Sequence, residues 1–531
     1  MNSEKATSES SGRSVSRREA LWFGLAAVAF IVVEVTALRG WVMLTKPFWL
    51  DEVATYLIAG TQSVSQSLRN VAAGADSNPP TVHLLYRAAG LIAGGLSPIT
   101  ARIVAALCVV GALTTTYLLL RMQFSQWPAA LGALAVWGQQ VVMHAAFDAR
   151  FYGPMLFVSG CMLLVLTRVV SREPTIASGV LLALVSAILC TVHYFGIVTW
   201  GLAIVTTVFF APGSFWGVVR RLLPAVAGPL ALVACVPFYL GQRASITIPT
   251  WMPDPSLADA VRLLAIFLLT LPVAVALVCW ALIEVRGWLA RRRGDTTATT
   301  PPLLGLTRPF APGVKGPLAL GPLLLITQVG VPLILVAFSL LVQPATELRY
   351  WIVGTLATAP VVAFIVSRGD LWIRGLATIG IIAASVKTMR GETGRADAFA
   401  QRVREDVQVA NELTRRGALV VTRLRDMLYP MVLVQPELKT HMAVLDSAPL
   451  DSTNRFFIIE RDLGHINTRL YGMPPMMTPE ELSGVSSFYF MEPKSGDETS
   501  GAPTNQEFPR HVISRAGDRT FHLVLRRPPG P

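Results

Sequence analysis

Long apolar blocks separated by short polar segments make up the chain between residues 20 and 386. The blocks approach or exceed the roughly 17–25 residues that a helix needs to cross a bilayer. The pattern predicts an α-helical polytopic membrane protein with about eleven transmembrane helices. The predicted spans lie near 20–38, 103–120, 128–146, 151–166, 176–192, 196–211, 222–240, 263–283, 318–342, 351–367 and 371–386.

Two longer polar segments interrupt this series. The segment 39–102 is too long for a simple connection, and within it 52–72 and 81–96 mix apolar and polar residues at helical spacing. Such helices lie along a membrane surface, so we expect two juxtamembrane helices here. The segment 241–262 contains the turn-rich run WMPDP, which predicts a mobile loop over a cavity.

From residue 387 onward the chain has the polar composition of a soluble domain. This polar region begins with a charged stretch that favours a helix, residues 396–415. Short runs of the strand type follow, which together predict a small α/β domain. These runs lie at 418–422, 456–459, 486–490 and 520–525. The composition of 495–505 predicts a flexible loop.

The charge distribution indicates a membrane orientation. Charged residues make up only 15% of the chain, against about 25% in soluble proteins, and mean hydropathy is +0.52. The net charge of +12 does not indicate nucleic-acid binding, because the basic residues concentrate in short loops, where they mark the cytoplasmic side. The tail and loops assigned to that side carry Lys5, Arg13, Arg17, Arg18, Arg121, Arg168, Arg172, Arg220, Arg221, Arg286, Arg291, Arg292, Arg293, Arg308, Lys315 and Arg368.

This orientation predicts three parts of a multi-pass protein of the cell's inner membrane. Residues 1–19 form a cytoplasmic tail, 20–386 the transmembrane domain with the first outer loop at 39–102, and 387–531 an extracytoplasmic domain. The last assignment follows because an odd number of spans brings the chain to the outer side.

A set of polar and aromatic residues falls on the outer face of this topology. Ionisable groups are expensive at a membrane boundary, so their position needs a physical reason. The set consists of Asp51, Glu52, Asn78, Pro79, His83, Asp148, Arg150, Tyr152, His193, Tyr194, Glu347, Arg349 and Tyr350.

Two interpretations stay open for each reactive member. Asp51, in PFWLDE, is either a loop carboxylate that solvates a helix end or a general base for a hydroxyl acceptor. Arg150 and Arg349 are either interfacial arginines or ligands of a phosphate, which a guanidinium matches in two-pronged geometry. His193 is either an interfacial anchor or a phosphate ligand. Asp148 is either a second acid or a salt-bridge partner of Arg150.

Five runs, in order along residues 20–370, resemble one family. PFWLDEVATYLIAG resembles the first outer loop of GT-C glycosyltransferases of the protein O-mannosyltransferase and aminoarabinose-transferase type. SNPPTVHLLYR resembles the Pro-Pro segment of that family, and FDARFYGPMLF its second outer motif. HYFG and ELRYW resemble two later motifs of the outer face.

The resemblance implies a GT-C-like fold and an inverting transfer of a sugar from a polyprenyl-phosphate carrier to a glycan, lipid or protein of the cell envelope. It implies that Asp51 is the catalytic carboxylate, and that Glu52 and Asp148 orient sugar or acceptor. In some members such carboxylates, here Asp51 and Asp148, hold a divalent cation, Mg²⁺ or Mn²⁺. The donor and its phosphate would contact Arg150, Tyr152, His193, Tyr194, Arg349 and Tyr350, and the acceptor loop would contain Asn78, Pro79 and His83.

Two departures bear on the acceptor. Asn78 stands where aminoarabinose transferases carry a lysine, which argues against a charged lipid A acceptor. The chain also lacks the large luminal insertion of protein mannosyltransferases, which argues against a protein acceptor.

Two other functions compete with transfer. A transporter or flippase of lipid-linked glycans would show internal repeats and polar residues at mid-membrane, whereas no repeat is visible and the polar residues gather at one face. A non-catalytic subunit of envelope assembly would use residues 387–531 as its binding module.

Overall fold

The computed structural model divides the chain into two units. The first unit comprises Met1–Trp41, Arg102–Cys235 and Asp254–Glu392, and the second Val42–Ala101, Val236–Pro253 and Thr393–Pro531. The structure describes residues 17–171, 173, 175–246, 255–292, 320–345, 347–415, 417–422, 425–446, 455–478, 481–482, 485, 487–493, 510–516 and 519–525.

Some predicted features lie outside the described residues. They are most of the WMPDP run, the loop 495–505, and the basic residues Lys5, Arg13, Arg172, Arg293, Arg308 and Lys315.

The first unit is a bundle of apolar helices. Its helices are α1 (Arg17–Ala37), α6 (Pro98–Arg121), α7 (Gln126–Trp137), α8 (Gln140–Ala146), α9 (Tyr152–Ser171), α10 (Ile176–Val192), α11 (Gly196–Phe210), α12 (Phe215–Leu222), α13 (Ala227–Ala234), α15 (Leu257–Leu268), α16 (Leu271–Arg292), α17 (Leu320–Thr327), α18 (Gly330–Leu341), α19 (Thr358–Arg368) and the first part of α20 (Leu371–Arg415). Two 3₁₀ helices, Leu223–Val226 and Leu348–Ala357, join their neighbours.

In the described residues, each predicted apolar block is largely helical, as the hydropathy pattern indicates. Within the described residues, eight helical segments are long and apolar enough to cross a membrane, and Ile176–Val192 and Gly196–Phe210 are shorter apolar helices. Large apolar side chains face outward from them: the exposed fraction is 61% for Trp22, 89% for Ile176 and 64% for Leu230. Lipid accounts for such surfaces, whereas water would penalise them. The prediction of a helical polytopic membrane protein is confirmed.

The prediction of one continuous helix over 128–146 is wrong. Helix α7 ends at Trp137, and Gln139 adopts an extended conformation before α8 begins. The Gln139 side chain donates its Nε2–H to the Thr355 carbonyl, 3.1 Å away. A buried hydrogen bond to another segment thus stabilises the break, which hydropathy alone does not reveal.

Two further boundaries differ from the predicted ones. The span 263–283 is divided between α15 and α16, and Pro272 lies in the first turn of α16, where a missing N–H costs nothing. The last span continues far beyond residue 386, because α20 has 45 residues. At 1.5 Å per residue it is about 67 Å long, twice the hydrocarbon thickness of a bilayer.

Small residues let helices of the first unit approach closely in its core. Helices α7, α16, α19 and α20 contribute a buried cluster that contains Ala135, Ala276 and Ala377. A Cβ on Gly132 of α7 would lie 2.5 Å from the Ala359 carbonyl oxygen of α19. Small side chains let helix backbones approach closely, which is the usual basis of helix association in lipid.

The second unit combines short helices from the segment 39–102 with a C-terminal α/β fold. Its helices are α2 (Trp41–Thr45), α3 (Leu50–Ala59), α4 (Val64–Ala72), α5 (Thr81–Ile92), α14 (Val236–Ser245), the last part of α20, α21 (Arg425–Val434) and α22 (Arg455–Tyr471), with a 3₁₀ helix at Pro436–Thr440. The predicted helix 52–72 is thus divided at Gly60. Helix α5 covers the predicted helix 81–96 only as far as Ile92.

A six-stranded sheet lies in the C-terminal part of this unit. Its strands are β1 (Leu419–Thr422), β2 (Met442–Leu445), β3 (Met476–Met477), β4 (Ser487–Pro493), β5 (Arg510–Ala516) and β6 (Arg519–Leu525). The order is β3-β2-β1-β4-β6-β5. The first four strands are parallel, with Val421 opposite Ala443 and Phe490, and β6 pairs antiparallel with β4 and β5. The predicted α/β domain is confirmed.

One predicted strand is wrong. Residues 456–459 belong to α22. The apolar positions that follow recur at helical spacing: the buried Ile466 and the partly buried Leu463 and Leu470 pack with Ile58 and Val71. A short apolar run is ambiguous by itself, and the spacing beyond it decides between helix and strand.

Candidate active site

The predicted donor residues of the first unit meet in a group of aromatic rings. Phe151, which precedes α9, stacks on His193 with ring centroids 4.0 Å apart. The Tyr350 ring lies 5.5 Å from His193 and 6.3 Å from Phe151. Tyr152 and Phe195 complete the group, at 4.2 Å from Phe151 and 5.7 Å from Tyr350 respectively. These five residues are called the aromatic cluster below.

Two arginines flank the aromatic cluster. The Arg150 guanidinium lies 5.8 Å from the centre of the Phe151 ring, and that of Arg349 lies 5.9 Å from the centre of the Tyr350 ring. Both distances permit a cation–π attraction. Arg349 Nε is also 3.9 Å from Glu347 Oε1. Two permanent positive charges beside apolar rings suit an anion that carries an apolar chain.

The local backbone explains how His193 is oriented. His193 ends α10 in an extended conformation, and the next residues turn the chain into α11. The Phe195 N–H donates to His193 Nδ1 over 3.1 Å, so in the neutral ring Nε2 carries the hydrogen. A Cβ on Gly196 would lie 2.0 Å from the Leu189 carbonyl oxygen, so this turn requires glycine. Tyr194 is half-buried in the same turn.

Asp148 lies in the tight segment between α8 and α9 and is fully buried. Its carbonyl accepts the N–H of Arg150 over 2.8 Å. The Nε2 of His144, one helical turn earlier, lies 3.7 Å from its Oδ2. The sequence interpretation did not consider His144, because a lone histidine near an apolar block is ordinary.

The other predicted residues belong to the second unit. Asp51 and Glu52 are in the first turn of α3, where carboxylates oppose the positive end of the helix dipole. Glu52 is fully buried and its Oε2 accepts the Trp49 N–H over 3.2 Å, which caps the helix. Asp51 is half-buried. The Arg87 guanidinium holds the other end of α3 by donating to the Ala59 carbonyl over 3.3 Å.

Asn78 and His83 share a partner that the sequence did not reveal. Asn78 Nδ2 donates to Asp76 Oδ1 over 2.8 Å, and His83 Nε2 lies 3.4 Å from Asp76 Oδ2. The Asn78 carbonyl accepts from Gln242 Nε2 over 2.8 Å. All four residues are buried, so this network holds the Asn78–Pro79 segment rigidly ahead of α5.

The carboxylates do not form a metal centre in the described part of the chain. There, no group of three or more His, Cys, Asp or Glu side chains is arranged to hold a metal ion. Glu52 serves as a helix cap and Asp148 faces His144. Glu52 and Asp148 therefore each have a protein partner, Trp49 and His144 respectively.

A buried carboxylate in the first transmembrane helix was also missed. Glu34 Oε2 accepts the Trp137 indole N–H over 2.8 Å, and Glu34 Oε1 accepts the Ser385 hydroxyl over 2.7 Å. These bonds tie α1 and α20 to the end of α7. Glu34 lies inside an otherwise apolar block, so its partners were not predictable from the block itself.

Comparisons with known proteins address the fold. No protein-family model matches the sequence, and no curated protein matches it. A crystal structure of ArnT from Cupriavidus metallidurans bound to undecaprenyl phosphate is similar with a TM-score of 0.53 and 14% identity, over 94% of this chain and 97% of that chain. The apo structure of that protein gives a TM-score of 0.54 and 13% identity, over 94% and 98%. The chain therefore has the fold of the ArnT structures, which is the GT-C fold that its five ordered motifs resemble.

Proposed function

We propose that this protein is an inverting glycosyltransferase that moves a sugar from a polyprenyl-phosphate carrier to a cell-envelope acceptor. The observation that carries the proposal is the aromatic cluster between Arg150 and Arg349. ArnT, whose fold the chain shares, has been crystallised with undecaprenyl phosphate. A lipid phosphate has the chemistry that this cluster favours, namely a charged head and an apolar chain.

The arginines and His193 would bind the donor phosphate. A guanidinium forms two parallel hydrogen bonds with phosphate oxygens, and His193 contributes an N–H from Nε2. Phe151 and Tyr350 would line the path of the first apolar carbons. As the carbon–oxygen bond to the sugar breaks, negative charge grows on the leaving phosphate. Fixed positive groups stabilise that charge without reorganisation.

Asp51 would be the general base. It takes the proton of the acceptor hydroxyl while the hydroxyl oxygen attacks the anomeric carbon, and polyprenyl phosphate leaves from the opposite side of that carbon. Configuration is inverted in this single displacement. The proton is on Asp51 afterwards and passes to solvent. Glu52 supports Asp51 by capping the helix on which both lie.

The positive-inside pattern supports a location for this reaction. It predicts a cytoplasmic N-terminus and puts the aromatic cluster and residues 387–531 on the outer side of the cell membrane. The acceptor would then be a component of the envelope, a glycan or a lipid in preference to a protein.

The proposal is tested with purified protein in proteoliposomes and a panel of undecaprenyl-phosphate hexoses and pentoses. We expect the wild-type protein to release undecaprenyl phosphate with at least one donor and an envelope extract as acceptor. Asp51→Asn should lower the rate about 10²- to 10⁴-fold, the usual contribution of a general base. Asp370→Asn, an exposed carboxylate between α19 and α20, is the matched control and should leave the rate unchanged. Full activity of Asp51→Asn would remove Asp51 from this role.

A further inference from the structure

A histidine lies between two buried carboxylates shortly before Phe151 of the aromatic cluster in the sequence. It has no role in the proposed sugar transfer. His144 lies on α8. Its Nδ1 is 3.3 Å from Glu392 Oε2 and its Nε2 is 3.7 Å from Asp148 Oδ2. Asp148 is fully buried and Glu392 is 5% exposed, whereas the His144 side chain is 40% exposed.

The two contacts have different lengths and therefore different roles. The contact with Glu392 is a hydrogen bond, and the longer one to Asp148 is an ion-pair distance. Glu392 lies on α20, far from His144 in sequence, so it fixes the imidazole plane from outside α8. With Nδ1 turned to Glu392, the opposite ring nitrogen points at Asp148.

Asp148 is connected to the donor residues through the backbone. Its carbonyl accepts the Arg150 N–H, and Phe151 follows directly. The turn that presents Arg150 to the aromatic cluster is therefore the turn that carries Asp148. A contact that fixes the Asp148 side chain, such as that of His144, therefore acts on the turn from which the Arg150 guanidinium projects.

We propose that His144 is a positioning residue for sugar transfer: Glu392 orients its ring, and the ring fixes Asp148 and the turn that carries Arg150. The effect on the rate of sugar transfer rests on the proposed function. The geometric claim, that His144 is coupled to Asp148 and Glu392, does not. The alternative is a plain staple between α8 and α20 that contributes stability and leaves the reaction unaffected.

The exposure of His144 provides a test that separates these roles. His144→Ala leaves a gap that opens to solvent, so added imidazole can enter it. We expect His144→Ala to lower kcat about 10- to 100-fold, as a misplacement of about 1 Å does, with a smaller change in the KM for an undecaprenyl-phosphate sugar. Imidazole at millimolar concentration should restore part of the rate.

Glu392→Gln and the double variant complete the experiment. Because Glu392 acts through the ring, the double variant His144→Ala/Glu392→Gln should be no slower than His144→Ala alone. The matched control is His465→Ala, whose ring Nε2 lies 2.9 Å from Asp446 in the C-terminal α/β part. It should keep its rate and not respond to imidazole. An unchanged kcat in His144→Ala, or multiplied losses in the double variant without an imidazole effect, would overturn the positioning role.

A failure of the proposed function is distinguishable from a failure of this inference. If the wild-type protein transfers no sugar from any donor, the proposed function fails. The geometric claim is then decided by melting temperatures. These are measured for His144→Ala, Asp148→Asn and Glu392→Gln, and for the double variants that combine His144→Ala with Asp148→Asn or with Glu392→Gln. Coupled residues give shifts that do not add. Additive shifts for both pairs would contradict the geometric claim.

Discussion

Arg150 and Arg349 occupy different environments, although each faces a ring of the aromatic cluster. Arg150 is 6% exposed, whereas the Arg349 side chain is 21% exposed and has Glu347 nearby. A buried cation attracts a phosphate more strongly because less water screens it. Arg150 should therefore contribute more to donor affinity than Arg349.

Binding of undecaprenyl phosphate to the detergent-solubilised protein measures this difference. Arg150→Gln should weaken binding about 10- to 100-fold, the range expected when a charge-assisted hydrogen bond is lost, and Arg349→Gln should weaken it less. Lysine at either position should restore only part of the affinity, since it lacks the two-pronged geometry. Arg286→Gln, at an exposed arginine, is the control. Equal affinities for all variants would exclude both arginines as phosphate ligands.

The residues of the candidate site were predictable where a motif carries them, and not where a partner comes from elsewhere in the chain. Arg150, His193 and Tyr350 stand in recognisable runs, and the structure brings them together. The contacts of Glu34 with Ser385, and of His144 with Glu392, join residues 351 and 248 positions apart. Periodicity reports only which side of a helix is apolar, so it contains no information about such pairs.

At the scale of elements, the hydropathy pattern predicts where the helices lie. It does not predict where they break, as between α7 and α8, or where they continue, as in α20. A polar residue that bonds to another segment breaks α7 from α8, and a charged continuation prolongs α20 beyond its apolar part. Neither event alters the average hydropathy of a block. The α22 helix was mistaken for a strand because its first turn is a short apolar run.

Close packing of α7 on α19 gives a prediction at this scale. Gly132→Leu should lower the melting temperature in detergent, because even a Cβ would lie 2.5 Å from the Ala359 carbonyl oxygen. The matched control is Gly201→Ala on α11, where an added Cβ meets nothing within 4 Å. That substitution should be neutral or stabilise by about 0.5–1 kcal/mol, the usual advantage of alanine over glycine in a helix. Equal shifts for both variants would contradict the packing.

The start of α20 gives a prediction about pH. Asp370 accepts the Ile373 N–H over 3.0 Å, and Arg286 lies 2.5 Å from its other oxygen. The backbone N–H, together with the Arg286 charge, holds the Asp370 pKa below its usual value. The stabilisation is therefore complete above the unfolded pKa of about 3.9 and is lost as the pH falls through the lower folded value. The melting-temperature difference between wild type and Asp370→Asn should shrink from pH 7 to pH 3; a constant difference would contradict this.

At the scale of the whole molecule, the second unit is assembled from three separate parts of the chain. Ile466 and Leu470 of α22 pack against Ile58, Val71 and Ala75 from the segment 39–102. Helix α22 therefore shares a core with residues of the segment 39–102, and each covers apolar side chains of the other.

Loss of this shared core should be visible in stability. Ile466→Ala should cost about 2–5 kcal/mol, as for other large core residues, and should speed proteolysis of the second unit. Val434→Ala, at a side chain that is 50% exposed, is the control and should change stability by less than about 0.5 kcal/mol. An Ile466→Ala protein as stable as wild type would mean that α22 folds without support from α3 and α4.

Cleavage of the donor by the purified wild-type protein is the most direct test of sugar transfer. Proteoliposomes are loaded with an undecaprenyl-phosphate sugar and given an envelope acceptor, and the amounts of undecaprenyl phosphate and glycosylated acceptor are measured together. The account predicts one released carrier for each sugar transferred. Intact donor appearing on the opposite leaflet, with no free undecaprenyl phosphate, would contradict it and indicate a flippase.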